Sequence, residues 1–233
     1  MSVIYYVGTD GSNSNDGLTW ATRKLTIQAA VTLSTLPGTT IYVAPGTYPE
    51  LVTLGSSGTS GSPISLIGDV DGSHTSGTAG PVRITGSNNN RTATRANCIV
   101  ATSRAYWTLR GLSFDTTSNY LLNLTTVNHF TIQKCWFQDT QFWISAIQFG
   151  TTGENAANVV QQCWFLGTDG VTFNGSPLNS ACVVESSVFL GSGALHDYAC
   201  GGVTLRNCTI LGGTDDNMVT VDSAFTTDSP GKQ

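Results

Sequence analysis

Five stretches of this chain can be written one beneath another, and their agreement limits the fold more than any other feature. They read Trp107-Thr-Leu-Arg-Gly-Leu-Ser-Phe114, Phe130-Thr-Ile-Gln-Lys-Cys-Trp-Phe137, Asn158-Val-Val-Gln-Gln-Cys-Trp-Phe165, Cys182-Val-Val-Glu-Ser-Ser-Val-Phe189 and Val203-Thr-Leu-Arg-Asn-Cys-Thr-Ile210. The third place is always aliphatic: Leu109, Ile132, Val160, Val184 and Leu205. The sixth holds Leu112, Cys135, Cys163, Ser187 and Cys208, and the eighth Phe114, Phe137, Phe165, Phe189 and Ile210. Successive eighth places are 23, 28, 24 and 21 residues apart, the length of a solenoid coil.

Alternation of apolar and polar residues, broken by one extra residue, describes two short strands meeting at a bend, with places three, six and eight on one side. One coil cannot enclose that side. Stacked coils can, because like then lies over like and each backbone edge pairs with the coil above or below. The expectation is therefore an all-β chain, a parallel β-helix of about eight coils, in preference to a β-sandwich of similar strands. Residues 1–39 are expected to form a strand, a turn-rich loop and a capping helix. Residues 40–222 form the coils and 223–233 a polar tail, all in one domain. The helix is placed over Leu25–Leu36 by its apolar spacing and the Pro37-Gly38 stop.

The stretches Tyr-Val-Gly-Thr-Asp-Gly, Asn-Asp-Gly-Leu-Thr-Trp, Thr-Ile-Gln-Ala-Ala-Val and Ile-Tyr-Val-Ala-Pro-Gly-Thr-Tyr, all within residues 5–68, resemble the opening of right-handed parallel β-helix proteins of the pectate-lyase-like superfamily. The Cys-Trp-Phe coils carry the resemblance to about residue 211. It implies a right-handed helix. For function it implies several possibilities, since such chains serve as polysaccharide lyases, glycoside hydrolases, phage tailspikes and virion proteins.

Only 11% of the residues are charged, against about a quarter in ordinary soluble domains, so Thr, Ser, Asn and Gly must supply the polar surface. Such a surface has little to deter association. Ten scattered Lys and Arg against a net charge of −5 argue against a nucleic-acid partner. No stretch approaches membrane-spanning length, and after Met1 the chain enters Val3–Val7 with no basic leader, so neither a membrane partner nor a secretion signal is expected. Cys135, Cys163 and Cys208 share an inward column with Ser187 and are read as free, buried thiols; Cys98, Cys182 and Cys200 stay open.

Candidate chemistry is sparse. The outward fourth column, Arg110, Gln133, Gln161, Glu185 and Arg206, places Glu185 beside Arg206, as a base with an acid-binding partner or as a surface ion pair. Asp169, Asp197, Asp215 and Asp216 lie on Gly-rich loops of successive coils and would serve hydrolysis if the loops converge. Hydrolases resembling this fold carry Gly-His-Gly and Arg-x-Lys signatures, and neither occurs here. Asp10, Asn13, Asn15 and Asp16 offer oxygens that would suit Ca²⁺, or Asx-turns, and no cofactor is otherwise expected. Trp136 and Trp164, in the outward seventh column, would stack on sugars or form an interface.

The resulting expectation is a non-enzymatic structural or adhesive protein. It resembles phage virion components, head-decoration or tail-associated, assembled in the host cytoplasm as a homo-oligomer, commonly a trimer, or with other virion proteins. The alternative is an extracellular polysaccharide-degrading enzyme, a lyase, glycoside hydrolase or tailspike-like depolymerase, that binds surface glycans.

Overall fold

The computed structural model describes residues 2–89, 92–138, 145–150, 155–174, 181–190, 193–198, 202–211, 219–221 and 226–227. Strand β1 (Ile4–Val7) and helix α1 (Ile27–Leu33) precede the coils. Seven triplets of short strands then follow: β2 (Thr40–Val43), β3 (Gly46–Tyr48) and β4 (Val52–Leu54); β5 (Ile64–Gly68), β6 (Val82–Thr85) and β7 (Ile99–Thr102); β8 (Trp107–Arg110), β9 (Ser113–Asp115) and β10 (Leu122–Thr125). The next are β11 (Thr131–Gln133), β12 (Trp136–Gln138) and β13 (Ser145–Phe149); β14 (Val159–Gln161), β15 (Trp164–Leu166) and β16 (Asp169–Asn174). Last come β17 (Cys182–Glu185), β18 (Val188–Leu190) and β19 (Gly193–Tyr198); β20 (Val203–Arg206), β21 (Thr209–Leu211) and β22 (Val219–Val221); and a closing β23 (Thr226–Thr227).

Each triplet gives one strand to each of three parallel sheets. The first runs β1-β2-β5-β8-β11-β14-β17-β20-β23, the second β3-β6-β9-β12-β15-β18-β21, and the third β4-β7-β10-β13-β16-β19-β22. This is the expected parallel β-helix, with seven strand triplets among the described residues where about eight coils were expected. The eight-place alignment covers the first two strands of a coil, and the third is an addition to it.

The interior is built from columns. Places three, six and eight are buried from Leu109 to Phe189, and the last coil's Leu205, Cys208 and Ile210 pack partly buried against the same core. Place one also points inward: Trp107, Phe130, Asn158, Cys182 and Val203 are all buried. Phe114, Phe137, Phe165 and Phe189 stack in series with ring centroids 5.2, 4.8 and 4.5 Å apart, and Phe149 lies on Phe173 in the third sheet at 4.7 Å. Burying one such ring is worth about 2–3 kcal/mol, and each ring pair adds roughly 0.5–1.5 kcal/mol.

The extra residue that breaks the alternation is a left-handed corner. Gly111, Lys134, Gln162, Ser186 and Asn207, the fifth places, have φ of 67, 53, 54, 49 and 52°. One residue in that conformation turns the chain from the first sheet into the second. It also aims its N–H along the stack, so that Gly111, Lys134, Gln162 and Ser186 donate to the fourth-place carbonyls of Gln133, Gln161, Glu185 and Arg206 at 3.1–3.2 Å. Glycine is required only at Gly111, where an added Cβ would lie 2.8 Å from the Gly68 carbonyl oxygen of the preceding coil.

The sixth place lines the inner side of the same corner. Cys135, Cys163 and Cys208 donate their thiols to the carbonyls of Gln133, Gln161 and Arg206 at 3.3 Å, and the Ser187 hydroxyl donates to Glu185 at 2.9 Å. From Cys135 onward the column therefore holds a small hydrogen-bond donor, which accounts for the mixture of Cys and Ser after Leu112. Burial pushes the Cys163 thiol up and keeps it protonated to donate. Cys135, Cys163 and Cys208 are free thiols, as expected of their column; Cys200 lies outside the described residues.

Helix α1 closes the amino-terminal end. Its Ile27, Ala30 and Val31 are buried in the core, and Thr26 caps it by accepting from the Ala29 N–H. The helix is shorter than the apolar spacing over residues 25–36 suggests, because Ser34 ends it by donating its hydroxyl to the Ala30 carbonyl. The half-buried Glu50 carboxylate accepts from the Ile27 and Gln28 N–H groups, both at 2.9 Å. At the far end β23 pairs with β20, so part of the expected polar tail extends the first sheet.

Candidate functional site

The outer face of the second sheet carries the seventh and ninth places. The seventh reads Ser113, Trp136, Trp164, Val188 and Thr209, and the ninth Asp115, Gln138, Leu166, Leu190 and Leu211, each paired in register with the next. Arg83 of β6 lies opposite Ser113. Most of this face is small, aromatic or aliphatic, and its strands hold one cation and one anion among the described residues, Arg83 and Asp115. Arg83 Nε donates to Asp115 Oδ2.

Trp136 and Trp164 are 42% and 43% exposed, and their rings stack at 5.5 Å with an interplanar angle of 14°. Each therefore covers one face of the other. The remaining face of Trp164 turns toward Val188, whereas that of Trp136 turns toward β9, where Ser113 leaves space. A pocket of about 380 Å³ opens there, lined by Pro81, Arg83, Ser113, Phe114, Asp115, Trp136 and Gln138. It is within the size range of small-ligand sites, roughly 300–1,000 Å³. Asp115 Oδ1 is buried and has no hydrogen-bond partner. Arg83 and Asp115 are 32 residues apart, and both lie outside the eight aligned places, so the repeat gave no sign of them.

The other sequence candidates are scattered. Arg206 Nε donates to Glu185 Oε2 at 2.7 Å on neighbouring strands of the first sheet, with side-chain exposures of 46% and 21%, an ion pair of small energetic weight. Next to it Gln161 donates to the Gln133 side-chain oxygen at 3.1 Å. Asp169 aligns with Gly193, and Asp197 with Phe173, so the two aspartates sit four positions apart in register on β16 and β19. That is roughly 13 Å of backbone along the strand direction. Asp215 and Asp216 lie outside the described residues.

Within the amino-terminal loop, Asp10 takes a two-pronged contact from Arg23 at 2.7 and 2.5 Å, which holds its carboxyl below the usual range, and Arg23 lies over Trp20. Asp16 accepts from Thr22 Oγ1 at 2.6 Å and from the Leu18 N–H at 3.0 Å, an Asx-turn, and its carboxyl is lowered by the Thr22 contact first. Asn13 Oδ1 accepts from the Leu25 and Thr26 N–H groups, and Asn15 Nδ2 donates to the Arg23 carbonyl. The Lys24 ammonium reaches the carbonyls of Asn13 and Asn15. These four side chains thus take part in the loop's own bonds, as the Asx-turn reading expects. Among the described residues no three His, Cys, Asp or Glu side chains gather to hold a metal ion.

No protein-family model matches the sequence, and neither does any curated protein. Solved structures do match. Pectate lyase Pel9A superposes with a TM-score of 0.65 at 16% identity, over 94% of this chain and 57% of its own. The fold is that of the pectate-lyase-like, right-handed parallel β-helices. A rhamnogalacturonan lyase matches at 0.58 and 14% identity, over 97% and 62%, and an alginate lyase from Paenibacillus sp. strain FPU-7 at 0.56 and 14%, over 89% and 75%. This β-helix therefore spans less than two thirds of the length of the first two.

Proposed function

We propose that this β-helix recognises polysaccharide, with a sugar ring seated in the pocket between Trp136 and the Arg83–Asp115 pair. The observation that carries this reading is an indole face turned toward space beside a paired guanidinium and carboxylate. A pyranose has one apolar C–H face and an equator of hydroxyls, and an indole wall with adjacent donors and acceptors complements both. The three fold neighbours named above are lyases of pectate, rhamnogalacturonan and alginate, which supports a glycan as the ligand class.

Recognition is better supported than cleavage. Hydrolysis by two carboxyl groups needs a second acid, and the pocket lining holds one, Asp115. Affinity electrophoresis in gels cast with a panel of neutral and acidic polysaccharides tests the reading. Retardation by at least one glycan is expected, and Trp136→Ala should weaken it by roughly tenfold, the value of one good aromatic contact. Migration unchanged by every glycan would overturn the proposal. Unsaturated products or new reducing ends in the same mixtures would add cleavage to recognition.

A second reading has its own support. Leu166, Leu190 and Leu211 form a register-paired apolar column along the same face, with Leu211 58% exposed. That flank suits burial against another chain, as in a self-associating structural component such as a virion homotrimer. Size-exclusion chromatography with light scattering separates the readings, because a stable monomer excludes this one and leaves glycan recognition standing.

A further inference from the structure

We infer that the pocket selects neutral, hydroxyl-rich polysaccharides over polyuronates, an inference that rests on the reading of this face as a glycan site. A polyuronate carries a carboxylate on every ring, so a face that holds several successive rings must neutralise several charges. On this sheet the described strands carry a single guanidinium, Arg83, and that charge is already matched by Asp115. The remaining outward places along the face, Ser113, Trp136, Gln138, Trp164, Leu166, Val188, Leu190, Thr209 and Leu211, are uncharged. The adjoining corner column, Gly111, Lys134, Gln162, Ser186 and Asn207, adds one lysine in five positions.

A uronate entering the pocket would meet the Asp115 carboxylate as well as Arg83, and the protein's net charge of −5 repels a polyanion over longer range. Sugar hydroxyls meet no such penalty. The Arg83 guanidinium and the exposed Gln138 amide, both in the pocket lining, offer donors and an acceptor, the combination that a vicinal diol satisfies, while Trp136 takes the C–H face. The acid beside Arg83 thus decides what kind of sugar the site accepts.

Asp115→Asn is the test. It is close in shape to the native side chain and removes the opposing charge from Arg83. Affinity electrophoresis at low ionic strength, in gels containing mixed-linkage β-glucan, galactomannan, polygalacturonate or alginate, reads the outcome, with circular dichroism confirming that the variant is folded. The native protein should be retarded by a neutral gel and not by the polyuronates, with little change on adding salt. Asp115→Asn should gain polyuronate binding by roughly tenfold, in a salt-sensitive manner, as a charge-assisted contact becomes available. Native binding to polygalacturonate or alginate in preference to the neutral glycans would overturn this inference while leaving glycan recognition intact. Failure of all four gels to retard the native protein would remove both. A variant that is folded and gains no polyuronate binding would show that Asp115 does not set the selectivity.

Discussion

At the scale of single residues, the corner explains most of what is unusual in the sequence. A left-handed φ costs an ordinary L-residue roughly 1–2 kcal/mol, more when it is β-branched, and at this corner alone the coils accept that cost with Lys134, Gln162, Ser186 and Asn207. What Lys134, Gln162 and Ser186 obtain is an N–H aimed at the neighbouring coil. Lys134→Val should accordingly lower stability by about 2 kcal/mol, whereas Lys134→Gly should stay within about 1 kcal/mol of the native protein, measured by urea unfolding. Residue chemistry also fixes how far the sequence could be read. Places three, six and eight were legible because each repeats one type of side chain. Place one was not, since Trp107, Phe130, Asn158, Cys182 and Val203 share burial but no chemistry; Asn158 is tolerated there only because it accepts from the Phe130 N–H and donates to the Val127 carbonyl, both at 2.9 Å. The tryptophans of the site were visible as a column. Their mutual stacking was not, nor was the Arg83–Asp115 pair, which joins two coils through residues that no local pattern connects.

Among the elements, α1 is bound at its first turn by a titrating group. Glu50 binds the first N–H groups of the helix, yet burial outweighs those bonds and raises its carboxyl above the ordinary value of 4.5. The native state therefore holds this proton more tightly than the unfolded chain does. Its contribution to stability is fully present below about 4.5, is lost as pH rises through the raised folded-state value, and is constant above it. Glu50→Gln should remove that slope: between pH 4 and 7 the Tm of the native protein should fall relative to the variant as pH rises, and parallel curves would refute the assignment. The strands show a different limit of legibility. β8, β11, β14, β17 and β20, with the short strands that follow them, sit a constant distance from the corner and align on sight. The third-sheet strands follow loops of varying length, so their shared register, Phe149 over Phe173 included, emerges only when the coils are stacked.

For the whole molecule, stability resides in the contacts between coils, because a single coil encloses nothing. Phe137 touches Phe114 on one side and Phe165 on the other, at the middle of the longest ring stack. Phe137→Ala should cost about 3–5 kcal/mol. It should also uncouple the two halves, so that urea transitions followed by far-ultraviolet circular dichroism and by tryptophan fluorescence no longer coincide; a single shifted transition would show that the coils melt together regardless. The corner has one more consequence, for how such a molecule changes length. Because Lys134 and Gln162 occupy the same place in successive turns and make the same bond upward, cutting out the 28 residues from Cys135 to Gln162 would splice two matching ends. Growth and shrinkage by whole turns would leave both cut surfaces able to mate, so this architecture can vary in discrete steps, like a ruler that gains or loses graduations without losing its scale.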